Sequence, residues 1–190
     1  TVEEEPLTEE EFCNFFLMLI VAGNETTRTV TTHGMRLLME HPEQYRMLVE
    51  NPGLLEDAIE EFLRYNPAVI AFNRTAMEDV EVGGQRIGKG DRVHLFYAAA
   101  SGDEAVFSDP DTFDITRAQR EDVRNEHRAF GIGQHFCLGS HLARLEMKVI
   151  FSEILKRIRN PRLDGDVNWL RSNFIHGIKS MPIAFDVADA

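Results

Sequence analysis

Apolar residues run almost unbroken across residues 12–22, with Asn14 the one polar interruption, and then recur at helical spacing as far as Met39. Thr8 stands ahead of this run, with Glu11 three positions later. In that pattern the Thr hydroxyl meets a free N–H and the Glu reaches back, so the spacing predicts a helix starting at Thr8. His41-Pro42 is the first strong stop, and the helix is expected to continue through Met39. Over residues 12–22 the apolar surface covers nearly the whole circumference. Such a helix is expected to pass through the middle of a fold. Ala22-Gly23, Glu25, Thr26 and Thr27 then fall together inside it. Glycine costs about 1 kcal/mol in a helix interior, and Thr can divert hydrogen bonds from the ladder. A local interruption that makes room is expected there.

Downstream, residues 42–49 read as a short helix. Residues 53–65 form a second, amphipathic one with Leu55, Ala58, Ile59, Phe62 and Leu63 on its apolar face, ended by Asn66-Pro67. Across residues 69–96 the pattern shortens toward alternation, with turns at Gly83-Gly84 and Gly88-Lys89-Gly90, which predicts short strands. Residues 103–125 are polar and weakly periodic, the pattern of an ordered meander. Residues 130–139 form a glycine-punctuated turn around Cys137. Leu142, Leu145, Val149, Ile150 and Leu155 then repeat at helical spacing, so a helix is expected over 138–157, followed by a last loop and hairpin over 169–187. The expected class is mainly α with small β-sheets (α+β).

Charge and composition narrow the partners. With 20 Lys plus Arg against 32 Asp plus Glu, the net charge is −12, which argues against nucleic acid because phosphate binding needs a basic surface. At 43% hydrophobic and 27% charged residues the chain has a globular composition. The apolar run at 12–22 is shorter than the roughly 20 residues a spanning helix needs, so no membrane anchor is expected. Cys13 and Cys137 are the only two cysteines. They cannot build a disulfide framework or a four-ligand zinc site, so a reducing, cytoplasmic location is expected. Cys13, Met35, Met39, Met47 and Met147 read as core packing. With no initiator Met, and a hydrophobic helix beginning almost at once, residues 1–190 are expected to be the downstream part of a longer single domain.

The chemistry concentrates in Phe130-Gly131-Ile132-Gly133-Gln134-His135-Phe136-Cys137-Leu138-Gly139. Gly131, Gly133 and Gly139 let the backbone turn tightly and approach a flat partner. Cys137 stands at the start of a helix, whose free N–H groups favour a thiolate, and a thiolate can ligate iron. A lone Cys before a helix is otherwise a structural residue, and the surrounding glycines decide between the two readings.

This stretch matches, without a gap, the haem-binding signature Phe-Gly-x-Gly-x-His-x-Cys-x-Gly, and in it the chain resembles the cytochromes P450. Glu61-Phe62-Leu63-Arg64 is similar to that family's Glu-x-x-Arg motif, and Ala22-Gly23-Asn24-Glu25-Thr26-Thr27 to its distal-helix motif. The resemblance implies the C-terminal half of the cytochrome P450 fold and a haem b cofactor. It makes Cys137 the thiolate ligand, which pushes electron density onto iron and favours O–O cleavage. Ala22, Gly23, Phe130, Gly131 and Gly139 are then expected to line the haem, and His135 and Arg74 to meet its propionates. Thr26 and Glu25 become a proton relay. Glu61 and Arg64 become a structural pair, joined by Arg117 or Arg120 from the meander. Leu19, Val69, Ile70, Ala71, Phe72, Phe174 and Ile175 are implied to face substrate.

The implied activity is a haem-thiolate monooxygenase that inserts one atom of O2 into a C–H bond of an apolar steroid, terpenoid or alkyl chain. Electrons are expected from NAD(P)H through a reductase and a ferredoxin or flavodoxin, because the chain has no dinucleotide fingerprint. Arg124, Arg128, Arg144 and Lys148 form a candidate basic group for docking that carrier. A haem-binding sensor module and an inactive fragment are the competing readings.

Overall fold

A computed structural model describes residues 6–188. In chain order the helices and strands are α1 (Glu9–Glu40), α2 (Pro42–Glu50), α3 (Leu55–Tyr65), β1 (Ala71–Thr75), β2 (Val80–Val82), β3 (Gln85–Ile87), β4 (Arg92–Phe96) and α4 (Tyr97–Ser101). Then come α5 (Val123–Glu126), α6 (Ser140–Arg157), β5 (Ile158–Leu163), β6 (Asn168–Trp169), β7 (Ile178–Ser180) and β8 (Ile183–Val187). The expected mainly-α fold with small sheets is what forms. Every sheet is two-stranded and antiparallel: β1 with β4, β2 with β3, β5 with β8, β6 with β7.

The first helix starts where the capping box places it. Thr8 Oγ1 accepts from the Glu11 N–H at 3.3 Å, and Glu11 returns an acceptor to the Thr8 N–H at 2.9 Å. It ends one residue past Met39, because Pro42 opens α2. The expected interruption at residues 22–27 is absent. Thr26 Oγ1 donates to the Ala22 carbonyl at 2.7 Å, one turn back, so the hydroxyl is absorbed by the helix without breaking it.

The core lies where the second half of α1, α3 and α6 cross. Leu37, Leu38, Ala58, Phe62, Met147 and Phe151 are all fully buried there, capped by Phe113 and Ile115 from the meander. Gly34 marks the closest approach. A Cβ at that position would stand 2.7 Å from Phe62 Cδ2 and 3.0 Å from Phe151 Cζ, so only glycine lets α1 sit this near both rings.

Two expectations about burial fail. Phe12 and residues 15–21 are exposed, as is Cys13. A helix apolar all round needs neighbours all round, and among the described residues none covers this stretch. The same holds for α6: Leu155 is buried, whereas Leu142, Leu145, Val149 and Ile150 are exposed and Met147 and Phe151 supply the core instead. α6 therefore carries apolar side chains on two faces. Met35, Met39 and Met147 are core residues as expected, and Met47 is exposed.

After α6 the expected hairpin forms between β6 and β7, and a strand that the pattern did not show precedes it. Residues 158–163 form a strand that pairs with β8 across a register shift, and Asn160 adopts φ 48°. Among the described residues, no helix is long and apolar enough to cross a membrane.

Candidate functional site

The loop at residues 130–139 is shaped by its main chain. Gly131 and Gly133 have φ of 74° and 70°, the left-handed region that glycine occupies without steric cost. The Cys137 N–H donates to the Phe130 carbonyl at 2.9 Å, closing the loop on itself, and the Ser140 N–H donates to the Cys137 carbonyl at 3.3 Å. The first helical residue is Ser140, with Gly139 as its cap. Cys137 thus lies ahead of the helix N-terminus rather than in its first turn, and the two main-chain bonds fix its position. Its side chain is exposed and unpaired. Ile132, Phe136 and Leu138 beside it are exposed too.

Behind the loop is a buried ionic layer that the sequence pattern only partly revealed. Glu60 accepts from Arg144 at 2.7 and 2.9 Å and from His127 Nε2 at 3.1 Å. His127 Nδ1 accepts the Ala129 N–H at 3.2 Å, which places the ring hydrogen on Nε2. Burial works against the Glu60 carboxylate, but the hydrogen bonds from His127 and Arg144 together with the Arg144 charge outweigh it and hold the pKa down to about 2. The Arg144 guanidinium also lies 4.6 Å from the Phe130 ring centroid. Arg144 is therefore a structural cation of the loop. Its companions in the expected basic group are paired as well: Lys148 with Glu56, Arg128 with Glu126 at 3.3 Å, and Arg124 with Glu60 at 4.0 Å. Four cations thus meet three carboxylates, Glu60 being shared by Arg144 and Arg124.

Glu61 and Arg64 pair as expected, at 2.7 and 2.8 Å, with both side chains buried. The third member is Arg117, fully buried and 3.3 Å from Glu61. Arg120 is half exposed and pairs with Asp114 at 2.7 Å instead. The two buried guanidiniums gather the meander by its carbonyls. Arg64 donates to the carbonyls of Ser101, Pro110 and Thr112, and Arg117 to those of Ser108, Asp109 and Thr112. Ser101 carries the connection onward, because its hydroxyl accepts the Arg128 N–H at 3.1 Å, two residues before Phe130.

The residues expected to face substrate converge from two distant segments. Val69 pairs with Ile175 in an antiparallel bridge, and the Ile70 N–H donates to the Phe174 carbonyl at 2.9 Å. Phe72 meets Phe174 edge-on with ring centroids 5.3 Å apart. Ala71 opens β1 beside them. Tyr97, which the sequence reading passed over, links this wall to the thiol loop. Its ring lies 5.9 Å from Phe72, and its hydroxyl stands 3.1 Å from where a Cβ on Gly131 would be. Leu19 is separate, on the exposed stretch of α1.

Other expected residues are less engaged. Arg74 is half-buried and its Nη1 donates to the neighbouring Asn73 carbonyl at 2.9 Å. His135 is exposed on a single turn of 3₁₀ helix. Ala22 and Gly23 are exposed, with open space beside Gly23. Glu25 binds Arg28 at 2.6 and 3.2 Å, and the Thr26 hydroxyl hydrogen goes to Ala22. The two groups of the expected relay thus each hold another partner.

Compared with known proteins, residues 1–166 match the family described as Cytochrome P450. The chain is 39% identical over 182 residues to linalool 8-monooxygenase of Pseudomonas putida, covering 96% of this chain and 44% of that protein. It is 41% identical over 186 residues to a methyl-branched lipid omega-hydroxylase of Mycobacterium tuberculosis, covering 97% and 42%. The structure of substrate-free CYP109E1 from Bacillus megaterium superposes with a TM-score of 0.92 at 35% identity, over 99% of this chain and 48% of that one. The chain belongs to the cytochrome P450 family. It spans less than half the length of these relatives.

Members of this family carry haem b. The donor chemistry here fits it: one exposed thiol on a loop fixed by main-chain bonds, glycines on either side that keep side chains away, and Arg74 and His135 available as polar groups for carboxylates.

Proposed function

We propose that this chain is the haem-ligating half of a monooxygenase that inserts one oxygen atom from O2 into a C–H bond of an apolar substrate. The exposed Cys137 thiol in its glycine-shaped loop carries this reading. Haem held there would supply dioxygen activation and transfer of the oxygen atom, the chemistry a protein side chain cannot perform. Cys137 would ligate the iron, Phe130 and Gly131 would support the ring, and His135 and Arg74 would meet its propionates.

The chain's own residues then orient and protonate. The wall formed by Val69, Ile70, Ala71, Phe72, Phe174 and Ile175 is almost wholly apolar, so it excludes water and would orient a terpenoid, alkyl chain or steroid by shape. Relatives named for acting on linalool and on a methyl-branched lipid support that substrate class. Thr26 and Glu25 would move protons to the reacting oxygen once Glu25 leaves Arg28, an exposed pair that is weak and readily exchanged. Electrons would reach the site from NAD(P)H through a reductase and a ferredoxin or flavodoxin.

The test is the spectrum of the reduced, carbon monoxide-bound protein, complete with its upstream half. A thiolate-type Soret band that is lost in Cys137→Ser supports the assignment. A histidine-type band in the wild type, or an unchanged band in the variant, overturns it. Thr26→Ala separates an enzyme from a haem-binding module. It should keep haem binding yet lower product per electron on the order of 100-fold, the missing electrons appearing as hydrogen peroxide. A module would form no product in either form.

A further inference from the structure

One buried titratable group on α1 has no part in that chemistry. His33 has no exposed surface, and its Nε2 lies 2.6 Å from the main-chain carbonyl of His176. A carbonyl only accepts, so Nε2 carries the hydrogen and Nδ1 is a bare acceptor. Nδ1 has no partner. Burying this ring is therefore costlier than burying a leucine, and its return is one bond to a chain segment 143 residues away.

That segment is the substrate wall. On its other edge the His176 N–H donates to the Ala68 carbonyl at 2.9 Å, Ile175 bridges Val69, and the Phe174 carbonyl accepts from Ile70. Residues 174–176 are thus held between the chain after α3 and the side of α1. We infer that His33 is a positioning residue for substrate selection: its Nε2–H, donated to the His176 carbonyl, sets how closely Phe174 and Ile175 approach Val69–Phe72 and so which apolar shapes the wall accepts. The inference rests on the reading of that wall as substrate-facing.

The bond persists across the ordinary pH range. The titratable and charged groups facing His33 are His176 from the β6–β7 loop and Arg36 from α1, itself paired with Glu40. The His176 ring lies 4.4 Å from that of His33 and is stacked on Trp169, which Arg36 covers from 5.6 Å. Burial dominates and, with the charge of Arg36 and His176, lowers the His33 pKa to about 4 despite the carbonyl bond. The ring is therefore a neutral latch, and pH does not switch it.

The experiment uses the complete haem-loaded protein at neutral pH with three forms: wild type, His33→Leu and His33→Gln. Gln can donate from its amide at the place of Nε2 and cannot titrate. Two quantities are read: amide hydrogen exchange at His176, and KM against kcat for a bulky terpenoid and a linear alkane. His33→Leu should speed exchange at His176 by about 10-fold, the size of one lost hydrogen bond. It should also change the ratio of the two KM values at nearly constant kcat. His33→Gln should restore both. Unchanged exchange in His33→Leu overturns the latch, whether or not the protein is a monooxygenase. Faster exchange with an unchanged KM ratio overturns the role in selection, and a folded His33→Gln that behaves like His33→Leu overturns the hydrogen bond as the cause.

Discussion

Replacing Arg117 by Met tests whether two buried guanidiniums hold the meander. The side chain is fully buried, so Met fills most of its volume while removing the charge and every donor. Glu61 keeps its two bonds to Arg64, and Thr112 keeps the longer of its two, at 3.3 Å. The carbonyls of Ser108 and Asp109 lose their guanidinium, and Glu121 loses the nearer of its two cationic partners, keeping Arg120 at 4.0 Å. An orphaned buried acceptor costs about 1–3 kcal/mol, and breaking a buried ion pair about 3–5 kcal/mol. With two carbonyls orphaned the first sums to about 2–6 kcal/mol, which overlaps the second near 4 kcal/mol, a large share of the about 5–15 kcal/mol that holds a domain together. Arg120→Met is the control, because its pair with Asp114 is half exposed and worth less than about 1 kcal/mol. Urea denaturation of the three proteins gives the stabilities, and amide exchange over residues 103–122 locates the loss. The reasoning is refuted if Arg117→Met stays within about 1 kcal/mol of wild type, or if Arg120→Met loses as much.

Two further outcomes follow from the packing. Gly34→Ala gains about 1 kcal/mol of helix propensity but forces a methyl against Phe62 and Phe151 at about 1–3 kcal/mol; a net loss is expected in urea, and a net gain would show that the crossing is looser than described. Stability should also fall as the medium becomes acidic. His33, depressed from 6.5 to about 4, contributes fully above 6.5 and loses its contribution as pH falls to 4; Glu60, depressed from 4.5 to about 2, follows between 4.5 and 2. The first window is worth about 3 kcal/mol. Urea titrations of wild type and the non-titrating His33→Gln should therefore separate as pH falls from 6.5 to 4, wild type losing stability the faster, and parallel curves would contradict the buried neutral ring.

Much of this was legible along the chain because its signals are local. The capping box of Thr8 and Glu11, the stop at Pro42, and the glycines around Cys137 each act within a few residues, and all three appear where expected. Pairing across sequence was not. Residues 158–163 carry Pro161 and a left-handed Asn160, which hide the alternation of a strand, and their partner lies beyond residue 180. Arg117 and Arg120 differ by three positions, so only the fold decides which one is buried. Glu60 and His33 look like ordinary helix residues until α6 and the last hairpin close over them. The apolar stretch of α1 was recognised, but periodicity reports what a helix could bury and says nothing of which neighbours are present.

The contacts made by Arg64 and Arg117 have a consequence for how this segment tolerates change. Six of their hydrogen bonds end on main-chain oxygens, at Ser101, Ser108, Asp109, Pro110 and Thr112, the last of them used twice. Every amino acid brings the same oxygen. The segment can therefore drift in side-chain identity at these positions while the trace it follows stays the same, and the demand for a particular residue is shifted onto the arginines and the glutamate that anchor it.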